Sequence, residues 1–303
     1  MKQRLLFLFV VIITANRLQA QDSTLLNMLS DSMQANEKPM PVRGTFKGLY
    51  IVNMKTVESS ARGALNFLIM HRFGRLNDGA YNFFGLDNAS IRLGLDYGIT
   101  DRLAIGIGRS SLEKTFDAYF KYRLLWQTDG SERVPLSLSV SSGLTNYTLK
   151  FPDKTYLNAR YRTTYVTQLI AARKFSSALS LQLVPMWLHY NLVPTVNDKN
   201  DVFALNAGGR MKLTKRMSIS AEYNYLLPDQ VNSIDVHNAI SLAWEIETGG
   251  HVFQLVFSNA QGMTEPQVIA RTAGEWGDGD VYFGFNISRV FNISHKAKKS
   301  VTY

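Results

Sequence analysis

The chain has 303 residues, no cysteine, a formal net charge of +9 and 12% aromatic residues. The lack of cysteine excludes a disulfide scaffold, a thiolate metal site and a lipid-modified cysteine. The basic excess is spread along the chain, apart from a cluster at residues 295–299, so no nucleic-acid partner is expected. A length near 300 suits two domains or one large β-barrel.

The N-terminus reads as an export signal. Lys2 and Arg4 precede the apolar run 5–13, and small and polar residues follow as far as Ala20 and Gln21. Residues 1–20 are expected to be a signal peptide cleaved after Ala20. Nine apolar residues are far short of the roughly 20 that a spanning helix needs, and no later run is longer. Residues 21–62 read as a periplasmic lead-in. Within it, 23–37 has helical spacing, closed by Pro39 and Pro41, and 44–53 is a candidate extra strand, in the lumen or at the periplasmic rim.

From Gly63 the pattern becomes regular and has period two, the signature of a strand with one apolar and one polar face. In 90–109, Ile91, Leu93, Leu95 and Tyr97 alternate with Ser90, Arg92, Gly94 and Asp96; after a turn at 99–101, Leu103, Ile105 and Ile107 alternate with Ala104, Gly106 and Gly108. That is an antiparallel hairpin. Ile105 is expected to face lipid and Gly106 the lumen, so a charge at 105 should harm folding more than one at 106. Similar segments recur to Phe291. About 12 are present, each near the roughly 9–11 residues a tilted membrane strand needs; a count of 14 is the alternative. Short connections (99–101, 175–177, 214–216, 248–250) alternate with long ones (144–157, 192–201, 228–236, 261–280). Outer-membrane barrels are built this way, with the short turns periplasmic. In lipid a sheet cannot keep free edges, which favours closure.

The polar faces carry an excess of base. Arg72, Arg92, Lys121, Arg123, Arg160, Arg162, Arg210 and Lys212 are the lumen-lining candidates, with Asp96, Asp117, Glu222, Glu245 and Glu247 beside them. One reading is a pore favouring small anionic solutes. The other, preferred because barrels of this size are often partly plugged, is an ion-paired network filling the interior. No catalytic, cofactor-binding or metal site is expected. The histidines (71, 189, 237, 251, 295) form no pair at metal spacing, no serine sits in a nucleophile-elbow pattern, and Gly106-Ile107-Gly108 lacks the helix of a nucleotide fingerprint. The acidic, glycine-rich stretch 274–280 reads as an extracellular loop rather than a calcium loop, with Trp276 at the lipid boundary.

Four stretches resemble a known family: HRFG at 71–74, LGLDYGITDRLAIGIGRS at 93–110, FQLVFSNAQGMTE at 253–265 and GDVYFGFNISRVF at 279–291. Together they resemble an uncharacterised family of Gram-negative outer-membrane proteins with a membrane-bound β-barrel domain of unknown function. The resemblance implies a closed barrel in the outer membrane and supplies no activity.

The expectation is therefore an all-β, transmembrane, antiparallel up-and-down barrel over 63–291, followed by a basic tail, 292–303, in the cell outer membrane. Its expected partners are outer-membrane lipid, the barrel assembly machinery and small anionic solutes. Its expected role is a porin-like channel, a small-solute binder or a scaffold rather than an enzyme. The rival reading is an outer-membrane enzyme with its site in the long extracellular loops.

Overall fold

The structure, a computed structural model, describes residues 39–130 and 133–293. The export signal, the helix expected at 23–37 and nearly all of the basic tail fall outside them. The described residues 41–128 and 134–293 form the main compact unit. The main unit is the barrel.

It contains twelve strands: β1 (Ala64–Arg75), β2 (Ala89–Gly98), β3 (Leu103–Ser110), β4 (Thr115–Leu125), β5 (Ser137–Tyr147), β6 (Thr163–Lys174), β7 (Leu179–Tyr190), β8 (Asp201–Lys212), β9 (Met217–Leu226), β10 (Ala239–Thr248), β11 (His251–Ser258) and β12 (Tyr282–Asn292). Each pairs antiparallel with its neighbours in sequence, and β12 pairs with β1 to close the sheet. Closure satisfies every strand edge, as hydrocarbon requires. The seam carries an aromatic outer face, with the His71 and Phe285 rings stacked at 4.8 Å and those of Phe73 and Phe283 at 5.7 Å.

The period-two pattern sets the two faces. On β2, Ile91, Leu93 and Leu95 point outward and are exposed, whereas Ser90, Arg92 and Asp96 are buried inside. Leu95 pairs with Ile107 and Ile105 with Phe120, so the apolar outer face continues from strand to strand. Gly106, on the inner face of β3, makes room for a neighbour: a Cβ there would lie 2.4 Å from the Tyr119 ring.

Two features depart from the expected pattern. The stretch 44–53 is not a strand; its one ladder contact is an isolated bridge between Tyr50 and Lys55. Nor is the inner face polar throughout. Val166 and Ile170 on β6, Val184, Met186 and Leu188 on β7, and Val202 and Ala204 on β8 are buried inward. Over these stretches the strands are apolar on both faces, which is the pattern of a wall packed on both sides rather than wetted on one.

The long loops gather at one end. Asp198, between β7 and β8, ties its own loop to the β9–β10 loop. It accepts Thr195 N (3.0 Å), Thr195 Oγ1 (2.8 Å), Asn232 N (2.7 Å) and Ser233 N (2.9 Å). Burial works to raise this carboxyl, but the hydrogen bonds from Asn232, Thr195 and Ser233 outweigh it and lower it to about 2.

Candidate functional site in the barrel lumen

Two pieces of chain outside the wall fill the lumen. The first is residues 44–60. It runs in as a hairpin that reverses over 51–54, where Ile51 N donates to Met54 O (2.9 Å) and Thr56 N to Leu49 O (2.8 Å). Ile51, Val52, Met54 and Val57 are essentially fully buried. They join one core cluster with Val166, Ile170, Val184, Met186 and Leu188 of the wall. The second is α1 (Glu265–Ala270), in the loop between β11 and β12. All six of its residues are buried, with a proline in its first turn, and Val268 and Ile269 enter the same cluster.

The wall holds the hairpin mainly by its backbone. Glu222 on β9, itself 2% exposed, accepts three successive backbone N–H groups: Val52 at 3.3 Å, Asn53 at 3.0 Å and Met54 at 3.1 Å. Donors from other strands take the carbonyls. Gln254 donates to Ile51 O (2.6 Å), Asn286 to Val52 O (2.9 Å), Gln182 to Lys55 O (2.9 Å), Lys121 to Thr56 O (3.2 Å) and Arg123 to Val57 O (2.7 Å). A buried backbone needs partners for all these groups. Here they come from around the whole barrel instead of from a paired strand. The Asn53 side chain adds two bonds, donating to Ser241 Oγ (2.9 Å) and accepting Arg72 (2.8 Å).

Much of the charge in the lumen is paired. Arg92 binds Asp117 through two bonds, Nε at 2.9 Å and a terminal nitrogen at 2.5 Å. Arg210 pairs with Glu245 (2.7 Å) and with Glu247. Arg123 meets Glu58 of the hairpin at 3.3 Å, and Lys121 also donates to the Glu58 carbonyl. The Tyr119 hydroxyl donates to Asp96. Lys55 of the hairpin pairs with Glu265 of α1 and lies 4.2 Å over the Tyr119 ring. This buried pair joins the two filling pieces.

Of the eight basic candidates, Arg72, Arg92, Lys121, Arg123 and Arg210 are buried on the inner face. Lys212 is half-buried at the short-turn end of β8. Arg160 and Arg162 lie outside the strands, in the β5–β6 loop, where Arg162 donates to Leu157 O (2.9 Å) and Leu149 O (2.6 Å). They carry the alternating pattern of a strand, but loop carbonyls hold Arg162. Sequence reasoning missed Gln182, Gln254, Asn286 and α1, and it placed Glu222 only as a counter-charge. Buried amides at inward positions were the available signal. They cost free energy inside unless bonded, so they imply a bonded partner in the lumen.

Outside the lumen, His189 Nδ1 and Trp187 Nε1 each lie 2.8 Å from Asp201 Oδ1 on the outer face. Among the described residues no hydroxyl is hydrogen-bonded to this pair to complete a nucleophile, and no group of three or more His, Asp and Glu is placed to hold a metal ion. The Trp276 indole, in the β11–β12 loop, donates to Ile240 O at 3.0 Å.

An even-stranded, closed, up-and-down barrel with an apolar outside and an occupied inside is an outer-membrane barrel. The chain belongs to the family described as membrane bound beta barrel domain (DUF5777), whose model matches residues 46–291. The match takes in the lumenal hairpin as well as the wall. Solved structures of similar fold include the NanC porin (8% identity, 75% of this chain and 98% of that chain, TM-score 0.46). An outer membrane channel from Pseudomonas putida F1 is another (14% identity, 77% and 97%, TM-score 0.45). So is outer membrane phospholipase A from Escherichia coli (13% identity, 74% and 89%, TM-score 0.41). Comparison with curated proteins gives no match. The outward apolar faces are the surface that meets membrane lipid.

Proposed function

We propose that the protein is a channel for small solutes held shut by its own residues 44–60 and α1. One observation carries this reading: the wall does not fill its own bore. Many inward positions are small, among them Ser139, Ser141, Ser218, Ser220, Ser241, Ser258 and Gly208, all on the inner face. A permanent scaffold of twelve strands could fill its interior with large wall side chains. Here the filling is a separate segment, entered through Gly44 and left through Gly63, both at positive φ. The paired charges neutralise one another in the shut state, so any preference for anions belongs to the open state.

A reversible lock tests the reading. The Asn53 and Ser241 side chains touch, and the chain has no native cysteine, so Asn53→Cys with Ser241→Cys can be bridged, in urea, by a short bis-methanethiosulfonate reagent that reductant removes. In planar bilayers the unmodified protein should be mostly closed and open in moderate urea. The bridged double variant should stay closed, and reductant should restore opening. Equal conduction with the lock on and off would remove the hairpin as the gate. Silence of the unlocked protein at every urea concentration that preserves the barrel would remove the channel.

A further inference from the structure

We propose that the inner wall of the barrel is a peptide-binding site that recognises a turn-forming segment by its main chain, and that residues 46–58 are its resident ligand. Nothing in this inference requires the barrel to conduct.

The chemistry is that of a receptor. One buried carboxylate, Glu222, gathers three consecutive N–H groups at the tip of the turn. On the carbonyl side, Gln254, Asn286, Gln182, Lys121 and Arg123 each take one backbone oxygen between Ile51 and Val57. Five different strands supply these groups, so the site is formed by closure of the barrel and not by the peptide. No continuous ladder ties the segment to the wall; the backbone bridge between Arg62 and Gly98 lies beyond its end. Main-chain recognition tolerates variation in exposed side chains. Specificity falls to the few side chains that are seated. Ile51 sits over Gly208, where a Cβ would come 2.5 Å from Ile51 Cδ1. Met54 and Val57 are seated in the apolar cluster formed with β6 and β7. The ligand class is therefore a short peptide with a tight turn, free N–H groups at three successive turn positions, and apolar residues before and after the turn. Segment 46–58 meets that description in cis. A peptide of the same kind should meet it in trans once the resident segment is loosened, because a tethered ligand holds its site through high effective concentration.

The experiment uses the full chain in lipid vesicles. Asn53→Pro removes one of the N–H groups given to Glu222, together with the Asn53 side-chain bonds, and so loosens the resident segment. Met54→Cys, at a fully buried position in a chain without cysteine, reports release through maleimide labelling. The probe is a fluorescein-labelled peptide of residues 46–58, read by anisotropy. The expected result has three parts. Labelling of Met54→Cys rises at least tenfold in the Asn53→Pro chain. The peptide binds that chain saturably and does not bind the unmodified one. The same peptide N-methylated at Val52, Asn53 and Met54 binds at least tenfold more weakly. Equal binding of the methylated peptide overturns main-chain recognition. Release of the resident segment without any peptide binding overturns the site. Failure of Asn53→Pro to release the segment also overturns it, since the N–H groups would then not be what holds it. If the Asn53→Pro chain gives no heat-shifted barrel band, Ile51→Asp is used instead. It leaves the main chain intact and sets a carboxylate against Gly208 and the apolar wall.

Discussion

Arg92 and Asp117 show how single residues decide the character of the lumen. Both are buried, and they meet through two charge-assisted bonds. Taking either charge out of water is costly, so the pair is worth most as a pair. Asp117→Ala strands the guanidinium and should cost about 3–5 kcal/mol in urea unfolding from vesicles. Replacing both with apolar residues of similar volume, Arg92→Met with Asp117→Leu, should recover most of that loss. If the single variant costs under about 1 kcal/mol, the pair is hydrated and the lumen is not closed around it. Asp198 brings a dependence on pH. Its folded carboxyl lies at about 2, below the ordinary value near 3.9 of an unfolded chain. A lowered value means stability that is present above pH 4 and lost as the pH falls through 2. Hydrogen exchange of Asn232 and Ser233 should therefore be slow down to about pH 4 and speed up below it, relative to the intrinsic rate. Asp198→Asn should abolish that dependence and leave both amides less protected at neutral pH.

At the scale of the strand, the hairpin of β2 and β3 was legible because hydrocarbon imposes a strict alternation. Ile105 points outward and is exposed, and Ala104 is buried inside. Ile105→Arg should cost about 2–4 kcal/mol near the bilayer midplane in vesicle refolding. Ile105→Leu should cost less than about 1.5 kcal/mol. The expected ranking against Gly106→Arg changes, however. The Tyr119 ring occupies the space beside Gly106, so an arginine there must displace a ring that is bonded to Asp96, and the damage should match or exceed that of Ile105→Arg. If Gly106→Arg refolds like the wild type, Tyr119 does not pack there and the lumen is looser than the structure shows. The strands and their pairing followed from period two, but the filling of the barrel did not. Residues 44–53 look like a strand because they hold the aromatic and β-branched run Leu49–Val52, which a buried hairpin accommodates as well. The short α1 is invisible to a periodicity test that needs several turns. The apolar inner faces of β6 and β7 were the readable sign that something packs there, for a wetted wall has no use for Ile170 or Leu188.

For the molecule as a whole, the wall and the lumenal hairpin are held by different kinds of bond and should yield separately. The wall is a closed ring of twelve paired strands, in which opening one pair leaves unpaired backbone in lipid. It should resist SDS until heated and give a shifted band on a gel when unboiled. The hairpin contributes no strand to that ring. Its bonds to the wall are mostly side chain to backbone, it runs between the positive-φ glycines Gly44 and Gly63, of which Gly63 leads directly into β1, and it packs in two apolar clusters. Releasing it exposes inner wall to water, not to lipid, so it lacks the strongest penalty that protects the barrel. Local opening of such a unit needs less free energy than global unfolding. Maleimide labelling of Met54→Cys should therefore appear at a urea concentration well below that which abolishes the heat-shifted band. Glu222→Gln, which weakens the grip on the turn without touching the ring, should move the labelling transition to still lower urea and leave the band transition where it was. Coincident transitions in both proteins would mean that hairpin and ring unfold as one cooperative unit, and a gate that opens within an intact barrel would then have no physical basis.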